Sequence, residues 1–503
     1  MVFDADFIFA VILSCLLFAY AIRSLIFLFV VILRQTNVFL YNISKSLSNS
    51  RVVVDSLSIS HVASDSKTRY SINNNVVESN HIDRYPTSLG YINNNNSMNI
   101  PLPFVSILIA TYNEQIIIER LMKSCTTLSY DRKRFEIIVV DDSYDRTFDI
   151  LKKWEEKLPN LKVIHRTDRM GWKGGALNLA LKNISDRSSF VLVVDGDNIL
   201  LSDTLERFIM SFINSDINSN FIDLIQGYPI SKVFSNIINS NSNKNDTKDN
   251  GNVSLDIAGK YNWISRGIGF RLAKRNLIEF LAKYSMNLPI QVTGSLFMIR
   301  SDLIKSVGFS EDLTEDWDLT LDLYLASNHN GSINEKRKLI FNPSLISYCE
   351  ATIKFKEYFK QRMRVSEGHT RGLKRNILTI LTSKMSHIDK MELLFTGLQY
   401  AKYLGIIALI LLDSELLLRS GTNFIINNHL LKSLLLVQLV TLLIAIGTNF
   451  ISLLVCHAIT NYRIKDAFYL IFLDVSTMPA FILGTLFGLF KKKGIFHKTN
   501  RNF

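Results

Sequence analysis

Long apolar segments at both ends of the chain constrain its fold more than any other feature. Residues 7–33 contain one charged residue, Arg23, and three further apolar segments lie at 392–412, 433–459 and 467–490. At about 1.5 Å of helix rise per residue, each can cross a hydrocarbon core of roughly 30 Å. The first segment is too long for the core of a signal peptide and lacks a convincing small-residue cleavage site. The sequence therefore predicts a membrane protein with a retained N-terminal anchor.

The distribution of basic residues predicts on which side of the membrane the central part of the chain lies. Nothing basic precedes residue 7, whereas Arg34, Lys45 and Arg51 follow the first segment. Because Lys and Arg favour the cytoplasmic side, the central part is predicted to be cytosolic. Three C-terminal crossings would leave the basic tail, "KKKGIFHKTNR", outside. The alternative is that the segment interrupted at Pro479 is re-entrant or interfacial, so the number of spans is left at three or four.

Shifts in composition divide the chain into four parts. The linker, and a low-complexity insertion within the mixed-sequence domain, are rich in Ser and Asn, and such segments bury little apolar surface. The predicted parts are an N-terminal transmembrane anchor (1–40), a linker (41–100), a mixed-sequence domain (101–376, with the insertion at 235–252) and a C-terminal membrane region with a basic tail (377–503).

The formal charge of +12 does not indicate nucleic-acid binding. The basic residues lie mostly beside the apolar segments, where attraction to anionic lipid headgroups and membrane topology explain them. The four cysteines have no paired spacing, so neither a disulfide framework nor a zinc site is predicted.

The central domain alternates between short apolar runs and longer amphipathic stretches. The runs are rich in β-branched residues and lie at 104–110, 135–140, 161–165 and 190–194. Units of this kind are typical of an α/β fold with a largely parallel sheet. In such sheets ligands bind beyond the carboxyl ends of the strands, so the residues after each run are candidates for a site.

Acidic residues follow two of these runs at equivalent positions. Asp141 and Asp142 come after the second run, and Asp195 and Asp197 flank Gly196 after the fourth. A solvated turn would explain any one of them alone. Together they are expected to converge on one crevice, where carboxylates suit Mg²⁺ or Mn²⁺ and the metal in turn suits a diphosphate. The glycine lets the backbone approach such a ligand closely.

Seven motifs in order give the central domain a resemblance to family 2 glycosyltransferases. They cover residues 104 to about 372, and the flanking membrane segments agree with the similarity to membrane-embedded synthases of cellulose, hyaluronan and related β-glycans. The motifs are "ATYNE", "VVDDSYDRT", "WKGGALN", "DGD", "VTGSLFMIRSDLIKSVGF", "LTEDWDLTLDLYL" and "QRMRV". The resemblance implies a GT-A-like α/β domain and an inverting, metal-dependent glycosyltransferase.

The resemblance also implies roles for residues at the donor end of the site. The nucleoside is expected beside Tyr112, Glu114 and Asp142, with Asp141 next to them, although Tyr112 could equally be a packing residue. Lys173 is expected to face the diphosphate, in a glycine-rich turn at a helix N-terminus, which is also an anion site physically. Asp195 is implied in donor binding, and Asp195 with Asp197 in holding Mn²⁺ or Mg²⁺.

Two further motifs imply the catalytic base and more donor contacts. Asp316 is assigned as the general base that removes a proton from the acceptor hydroxyl. Acids in the first turn of a helix also stabilise its dipole, so fold stability alone could explain this segment. Gln361 and Arg364 are implied in donor binding, and a guanidinium suits phosphate. Val365 stands where the family usually has a tryptophan that stacks on the acceptor sugar, which weakens the case for processive polymerisation.

Three functions remain open from the sequence, and the first is slightly favoured. It is a processive polysaccharide synthase that forms β-linkages, in the cell membrane and with its catalytic domain in the cytosol. The second is transfer of one or a few sugars to a lipid or short membrane-facing acceptor. The third is a non-catalytic membrane scaffold that binds sugar nucleotides. The expected partners are a UDP-sugar or GDP-sugar donor, a glycan or lipid acceptor and the membrane, with no nucleic acid and an undetermined oligomeric state.

Overall fold

A computed structural model describes residues 5–34, 102–217, 221–234, 261–326, 337–427, 429–457 and 462–491. The predictions made for the linker (41–100), the insertion (235–252) and most of the basic tail (492–503) lie outside the described residues.

The described part of the central domain contains one mixed sheet of eight strands. Their order across the sheet is β3-β2-β1-β4-β7-β6-β8-β5. Strand β7 runs antiparallel to both of its neighbours, and β5 runs antiparallel to β8, whereas the other pairs are parallel. The strands are β1 (Phe104–Thr111), β2 (Phe135–Asp141), β3 (Leu161–His165), β4 (Ser188–Asp195), β5 (Asn198–Leu200), β6 (Leu224–Lys232), β7 (Phe297–Arg300) and β8 (Leu339–Glu350).

This sheet confirms the predicted GT-A-like α/β fold with mixed, largely parallel strands. The four predicted strands agree with β1 to β4 to within two residues at either end. The remaining strands include the antiparallel ones, and the apolar runs did not predict them.

Helices cover both faces of the sheet and form the membrane-side part of the molecule. Those in the central domain are α2 (Ile118–Thr126), α3 (Thr147–Glu155), α4 (Trp172–Leu181), α5 (Thr204–Ile217), α6 (Trp263–Lys274), a π-helical stretch (Arg275–Phe280), α7 (Leu281–Ser285), α8 (Ser301–Val307) and α9 (Glu315–Ala326), with a 3-10 turn at Arg132–Arg134. The others are α1 (Ala5–Arg34), α10 (Phe355–Thr382), α11 (His387–Gly397), α12 (Ala401–Asn427), α13 (His429–His457) and α14 (Ile464–Phe490).

The strand register aligns the carboxyl ends of β1, β2 and β4. Thr111 pairs with Asp141 in β2, and Ala110 pairs with Asp195 in β4. The residues that follow these three strands therefore meet at one edge of the sheet, as expected for a parallel arrangement. Alternate residues of the strands point to opposite faces, and Val105, Ile107 and Ile109 enter one core, while Leu108 enters the other.

Three helices in the described part of the chain are long and apolar enough to cross a membrane. Their candidate spans are 6–33 in α1, 430–457 in α13 and 464–490 in α14. The bent pair α11 and α12 would make a fourth if it acted as one span. These findings agree with the predicted terminal membrane helices by length and composition.

The segment predicted as one span at 392–412 is not a continuous helix. It is divided between α11 and α12, which meet at an angle of 74°. Gly397 ends α11 where an added Cβ would lie 2.9 Å from Leu373, so close packing accompanies the break. By contrast, α14 continues through Pro479. The segment at 467–490 is therefore one helix despite its proline, and the break in the described helices lies in the other segment, between residues 397 and 401.

Helix α10 packs closely on the membrane helix α14. An added Cβ at Gly484 would lie 2.3 Å from the Met363 carbonyl oxygen, and one at Gly488 would lie 2.6 Å from that of Glu367. The Ser366 hydroxyl donates to the Phe481 carbonyl at 2.8 Å. This contact fixes the part of α10 that contains the "QRMRV" motif against a candidate membrane span.

Candidate active site

Asp141, at the end of β2, links the ends of the neighbouring strands. Asp141 is fully buried and its Oδ1 accepts hydrogen bonds from the hydroxyls of Thr111 at 2.8 Å and Ser143 at 2.5 Å. Its Oδ2 lies 3.0 Å from Nδ1 of His165. The side chain therefore holds the ends of β1, β2 and β3 together, and it is not among the residues that line the cavity at this edge of the sheet. Its predicted part in donor binding stays a prediction.

Asp142, the next residue, does line the cavity and is held by an arginine. Arg166 donates to both of its oxygens, at 2.7 Å and 2.6 Å. The guanidinium carbon of Arg169 lies 3.4 Å from the ring centroid of Tyr112, which also faces the cavity. These residues place an aromatic ring, a carboxylate and a cation at the end of the cavity expected to receive the nucleoside.

The sequence reasoning missed both arginines of this group. They lie in the segment after β3, at the same sheet edge as the acids. Arg169 adopts a φ of +49°, in a turn that continues through Gly171 at +69° and Trp172 at +51°. The polar residues after the third apolar run were a signal that could have identified them. Glu114 also lines the cavity, and its predicted contact with the donor stays a prediction.

Lys173 joins three parts of the site. Its Nζ lies 2.7 Å from Asp195 and 2.8 Å from Glu315, and donates to the Gly294 carbonyl at 2.8 Å. Burial alone would lower the pKa of Lys173, but the two carboxylates outweigh it and raise that pKa above its ordinary value. The lysine is therefore a fixed positive charge between the strand-end acids and α9.

The glycines after Lys173 do not form the predicted turn. They lie inside the first turn of α4, where an added Cβ would be 1.8 Å from the Ser310 carbonyl oxygen at Gly174 and 2.2 Å from that of Met170 at Gly175. Only glycine fits at these two positions, because a Cβ at either one would collide with a backbone carbonyl oxygen. The glycines thus set how closely α4 packs, and through that packing the position of Lys173.

Asp316 lies in the first turn of α9 and faces the cavity. Burial, and next the carboxylate of Glu315, raise its pKa from the ordinary range to about 7, against the opposing effect of Lys173. Its Oδ1 accepts from the Trp317 backbone N–H at 2.8 Å. A carboxylate with a pKa near neutrality is suited to removing a proton at physiological pH.

Asp318, two residues after Asp316 in the same motif, has a structural role. Asp318 is buried and binds Arg375 at 2.5 Å and the Ser310 hydroxyl at 2.7 Å, away from the cavity. Trp317 is fully buried and stacks on His369 with 5.0 Å between ring centroids. The predicted buried stripe of α9 is present, and the residue at position 316 is directed into the cavity.

Asp195 and Asp197 both line the cavity on either side of Gly196. The Asp195 backbone N–H donates to Ser295 at 2.9 Å, which fixes the end of β4. Among the described residues no group of three or more His, Cys, Asp or Glu side chains could hold a metal ion. Two carboxylates nevertheless fit Mn²⁺ or Mg²⁺ bound together with a diphosphate, because such ions fill much of their shell with water and phosphate oxygens.

Gln361, Arg364 and Val365 of α10 line the same cavity. Arg364 donates to the Leu313 carbonyl at 3.3 Å, in the segment that leads into α9. Burial lowers the pKa of Arg364, while the carboxylates of Glu315 and Asp316 act in the opposite direction. The motif that has valine in place of tryptophan therefore lines the same cavity as Asp316, the predicted base.

The cavity continues beyond Asp316 between the membrane helices. Its volume is about 1020 Å³, and its walls include side chains of α1, α12, α13 and α14. In α12 the lining residues extend from Lys402 to Asp413, a distance of about 16 Å along the helix. One space therefore connects the strand-end acids with side chains along much of α12.

The mixed sheet defines a GT-A-like domain, and the carboxylates grouped around Lys173 lie in its cavity at the carboxyl ends of the strands. Residues 106–259 match the family described as Glycosyl transferase family 2. The chain therefore contains a glycosyltransferase family 2 domain. The narrower resemblance to cellulose and hyaluronan synthases stays a prediction.

Known proteins are similar to parts of this chain. The probable glycosyltransferase YdaM of Bacillus subtilis is 23% identical over 271 residues, which cover 53% of this chain and 56% of YdaM. The β-monoglucosyldiacylglycerol synthase of Nostoc sp. is 36% identical over 113 residues, 22% of this chain and 24% of that enzyme. The mannosyltransferase PcManGT from Pyrobaculum calidifontis aligns in structure with a TM-score of 0.48 and 17% identity, covering 78% of this chain and 88% of PcManGT. The alignments to YdaM and the Nostoc synthase span about half or less of the length of those curated relatives.

Proposed function

We propose that the protein is a membrane-bound inverting hexosyltransferase that transfers a sugar from a nucleotide-sugar donor to a lipid acceptor. One observation carries this proposal: a single cavity contains the candidate donor residues, the candidate base and side chains of the membrane helices. Donor and acceptor could thus meet at Asp316 from opposite ends of one space. The family match of residues 106–259 supports the reaction type.

In the proposed reaction Asp316 takes the proton of the acceptor hydroxyl. The hydroxyl oxygen forms a bond to the anomeric carbon while the bond from that carbon to the diphosphate breaks. Lys173 and Arg364 offset the charge that develops on the departing nucleoside diphosphate. Mn²⁺ or Mg²⁺, when held by Asp195 and Asp197, supplies Lewis-acid stabilisation of the same charge. A single displacement on an α-linked donor yields a β-linkage.

The nucleoside end is proposed to lie beside Tyr112, Glu114 and Asp142. Arg169 on the ring of Tyr112 and Arg166 on Asp142 hold these two side chains in place. Asp141 is proposed to act indirectly, through the strand ends that it fixes. Gln361 is proposed to contact the donor from α10. The nucleobase of the donor is expected to be uracil or guanine, and an assay with both UDP-sugars and GDP-sugars distinguishes the two.

Processive synthesis of a β-glycan is the second candidate function. A hydrogen-bonded polar cluster favours it, since the Gln438 side chain reaches Ser14 at 3.1 Å and Asp413 at 3.4 Å within the membrane-side walls. Polar residues among membrane helices often mark a path for a polar substrate. Val365 favours the lipid acceptor, because valine offers no aromatic face on which a growing glycan could stack.

The domain boundaries and the location are part of this proposal. The anchor (1–40), the linker (41–100), the catalytic domain (101–376) and the C-terminal membrane region (377–503) are retained as the working division of the chain. The catalytic domain is proposed to face the cytosol from the cell membrane, as the basic residues after the first span suggest.

The proposed function is tested with purified protein in detergent, a divalent cation and radiolabelled nucleotide sugars. Products are separated by size and by lipid solubility. A short, lipid-extractable product is expected, whereas a long polymer would favour the synthase. Binding of the nucleotide sugars with no transfer to any acceptor would instead favour a non-catalytic scaffold.

A further inference from the structure

Two arginines in the membrane-side part of the cavity have an unusual environment. Arg275 begins the π-helical stretch between α6 and α7, and Arg362 lies in α10 beside the donor motif. Both line the cavity, and the Nε of each is buried with no hydrogen-bond partner. Neither forms an ion pair with any residue that the structure describes. The guanidinium carbon of Arg275 lies 5.5 Å from the ring centroid of Phe280, and that of Arg362 lies 5.1 Å from the ring centroid of Tyr358.

Most of the acids nearby are already engaged with other cations. Asp195, which lines a smaller pocket together with both arginines, pairs with Lys173. Asp474 of α14 pairs with Arg271. Glu279 lies 2.8 Å from Arg23 and 3.1 Å from Lys283. A buried cation is costly unless it is paired, and these acids cannot pair with two more guanidiniums without leaving their present partners.

Apart from these acids and Asp316, whose carboxyl group also acts on Arg275, the neighbouring side chains add positive charge or none. Lys274 binds the side-chain oxygen of Asn449, and Lys402 lies 5.1 Å from the ring of Tyr403. Burial, with the fields of Arg362 and Arg275, lowers the pKa of His369 to about 3, so this ring is neutral. The region therefore has an excess of positive charge that an anion would balance.

The walls on either side of this basic region differ in chemistry. On one side lies Asp316, the proposed base. On the other side apolar residues of α1, α12 and α13 line the cavity, among them Leu17, Leu409 and Leu442. The polar cluster of Ser14, Asp413 and Gln438 interrupts this apolar wall. A molecule that combines a hydroxyl, an anionic group and a hydrocarbon chain would match these three regions of the cavity.

We infer that the acceptor is a membrane lipid with a phosphate in its head group, held by Arg275 and Arg362 while its chains lie between α1, α12 and α13. This inference rests on the proposed function. A head-group hydroxyl beyond the phosphate reaches Asp316 and gives up its proton there. Its oxygen then bonds to the anomeric carbon, and the electrons of the broken carbon–oxygen bond leave with the nucleoside diphosphate. The phosphate itself keeps its bonds and its charge.

Nanodiscs of phosphatidylcholine provide the test, because that lipid has no head-group hydroxyl. They contain the wild-type chain and, in separate arms, phosphatidylglycerol, phosphatidylinositol or diacylglycerol, and soluble glycerol phosphate is a fourth arm. We expect the two anionic lipids to be glycosylated at least about tenfold faster than diacylglycerol, as for a charged hydrogen bond. We also expect glycerol phosphate to need far higher concentrations, because it lacks the chains.

Arg275→Gln and Arg362→Gln identify the residues that hold the phosphate. Each is expected to raise the KM for the anionic lipid about tenfold or more and to leave the KM for the nucleotide sugar unchanged. Arg275→Lys keeps the charge and is expected to recover part of the loss. Arg187→Gln is the matched control, since Arg187 is exposed just before β4, at the opposite edge of the sheet.

Three results would overturn the inference. Equal use of diacylglycerol would show that the phosphate is not recognised. An equal rise in the donor KM would show that the two arginines bind the donor diphosphate instead. Transfer to a soluble glycan alone would exclude a lipid acceptor. Hydrolysis of the nucleotide sugar in the absence of lipid tests the proposed function separately. If neither hydrolysis nor transfer to any acceptor occurs, the proposed transferase activity itself is rejected. If hydrolysis occurs without transfer to lipid, only the proposed acceptor is rejected. If an arginine variant does not fold, the inference is decided by whether the wild-type chain prefers the anionic lipids to diacylglycerol.

Discussion

The pH dependence of transfer is the most specific consequence of the site. Burial and the Glu315 carboxylate raise the pKa of Asp316 to about 7. A base must be ionised to accept a proton, so activity should rise with pH through that value. With a pKa of about 7, roughly a tenth of the carboxyl groups are ionised at pH 6 and about nine tenths at pH 8. The rate should therefore increase about tenfold between these two pH values.

The assay measures initial rates at low donor concentration, where kcat/KM reports the pKa values of the donor-free enzyme. Glu315→Gln removes a carboxylate that raises the pKa of Asp316, so we expect the rising limb to move to lower pH. Asp322→Asn is a control in the same helix, because Asp322 does not line the cavity. A rate that is independent of pH between 5.5 and 8.5, or a midpoint near the ordinary value for aspartate, would refute the reasoning.

Unfolding provides a check that does not involve catalysis. The folded state binds the Asp316 proton more tightly than the unfolded state, because the folded pKa is the higher of the two. The contribution of this residue to stability is therefore present at low pH and is lost as the pH rises through about 7. Asp316→Asn should remove that part of the pH dependence and leave the rest.

Three further perturbations test the donor site and the packing that supports it. Asp142→Asn weakens the contact with Arg166 and should raise the donor KM, whereas Asp203→Asn, which alters a part-buried ion pair with Arg207 outside the cavity, should not; equal effects would contradict the assignment. Gly174→Ala would place a Cβ 1.8 Å from the Ser310 carbonyl and should cost about 1–3 kcal/mol or more in thermal unfolding. Gly447→Ala, with nothing within 4 Å of its added Cβ, should be nearly neutral, and similar losses at both glycines would argue against the packing. Arg23→Met leaves Glu392 and Glu279 with one fewer cation and should cost about 3–5 kcal/mol, measured beside Arg187→Met; an unchanged melting temperature would exclude this buried network.

The sequence predicted the first half of the sheet well because local pattern determines it. Strands β1 to β4 are continuous apolar runs, and their order along the chain placed the following acids at one edge. Strands β6 and β8 have a less uniform pattern, and β7 has only four residues, Phe297–Arg300. The parallel pairing of β6 with β8 and the antiparallel pairing of β7 with its neighbours depend on tertiary contacts that periodicity does not reveal.

The same limit applies to the site. Asp141 and Asp142 are adjacent in sequence, yet one links the strand ends and the other lines the cavity, because neighbouring side chains at a strand end point to opposite sides. The basic pair of Arg275 and Arg362 could not be predicted, since it unites a π-helical stretch and a distant helix. The break after Gly397 was missed because apolar composition continues through it.

The most direct test of the account compares the wild-type chain with Asp316→Asn in one preparation. Donor binding is measured by calorimetry with nucleotide sugar and Mn²⁺, and transfer is measured as radiolabelled product. The account predicts that the variant binds the donor with nearly unchanged affinity and forms no product. Normal turnover by Asp316→Asn would contradict the assignment of the base.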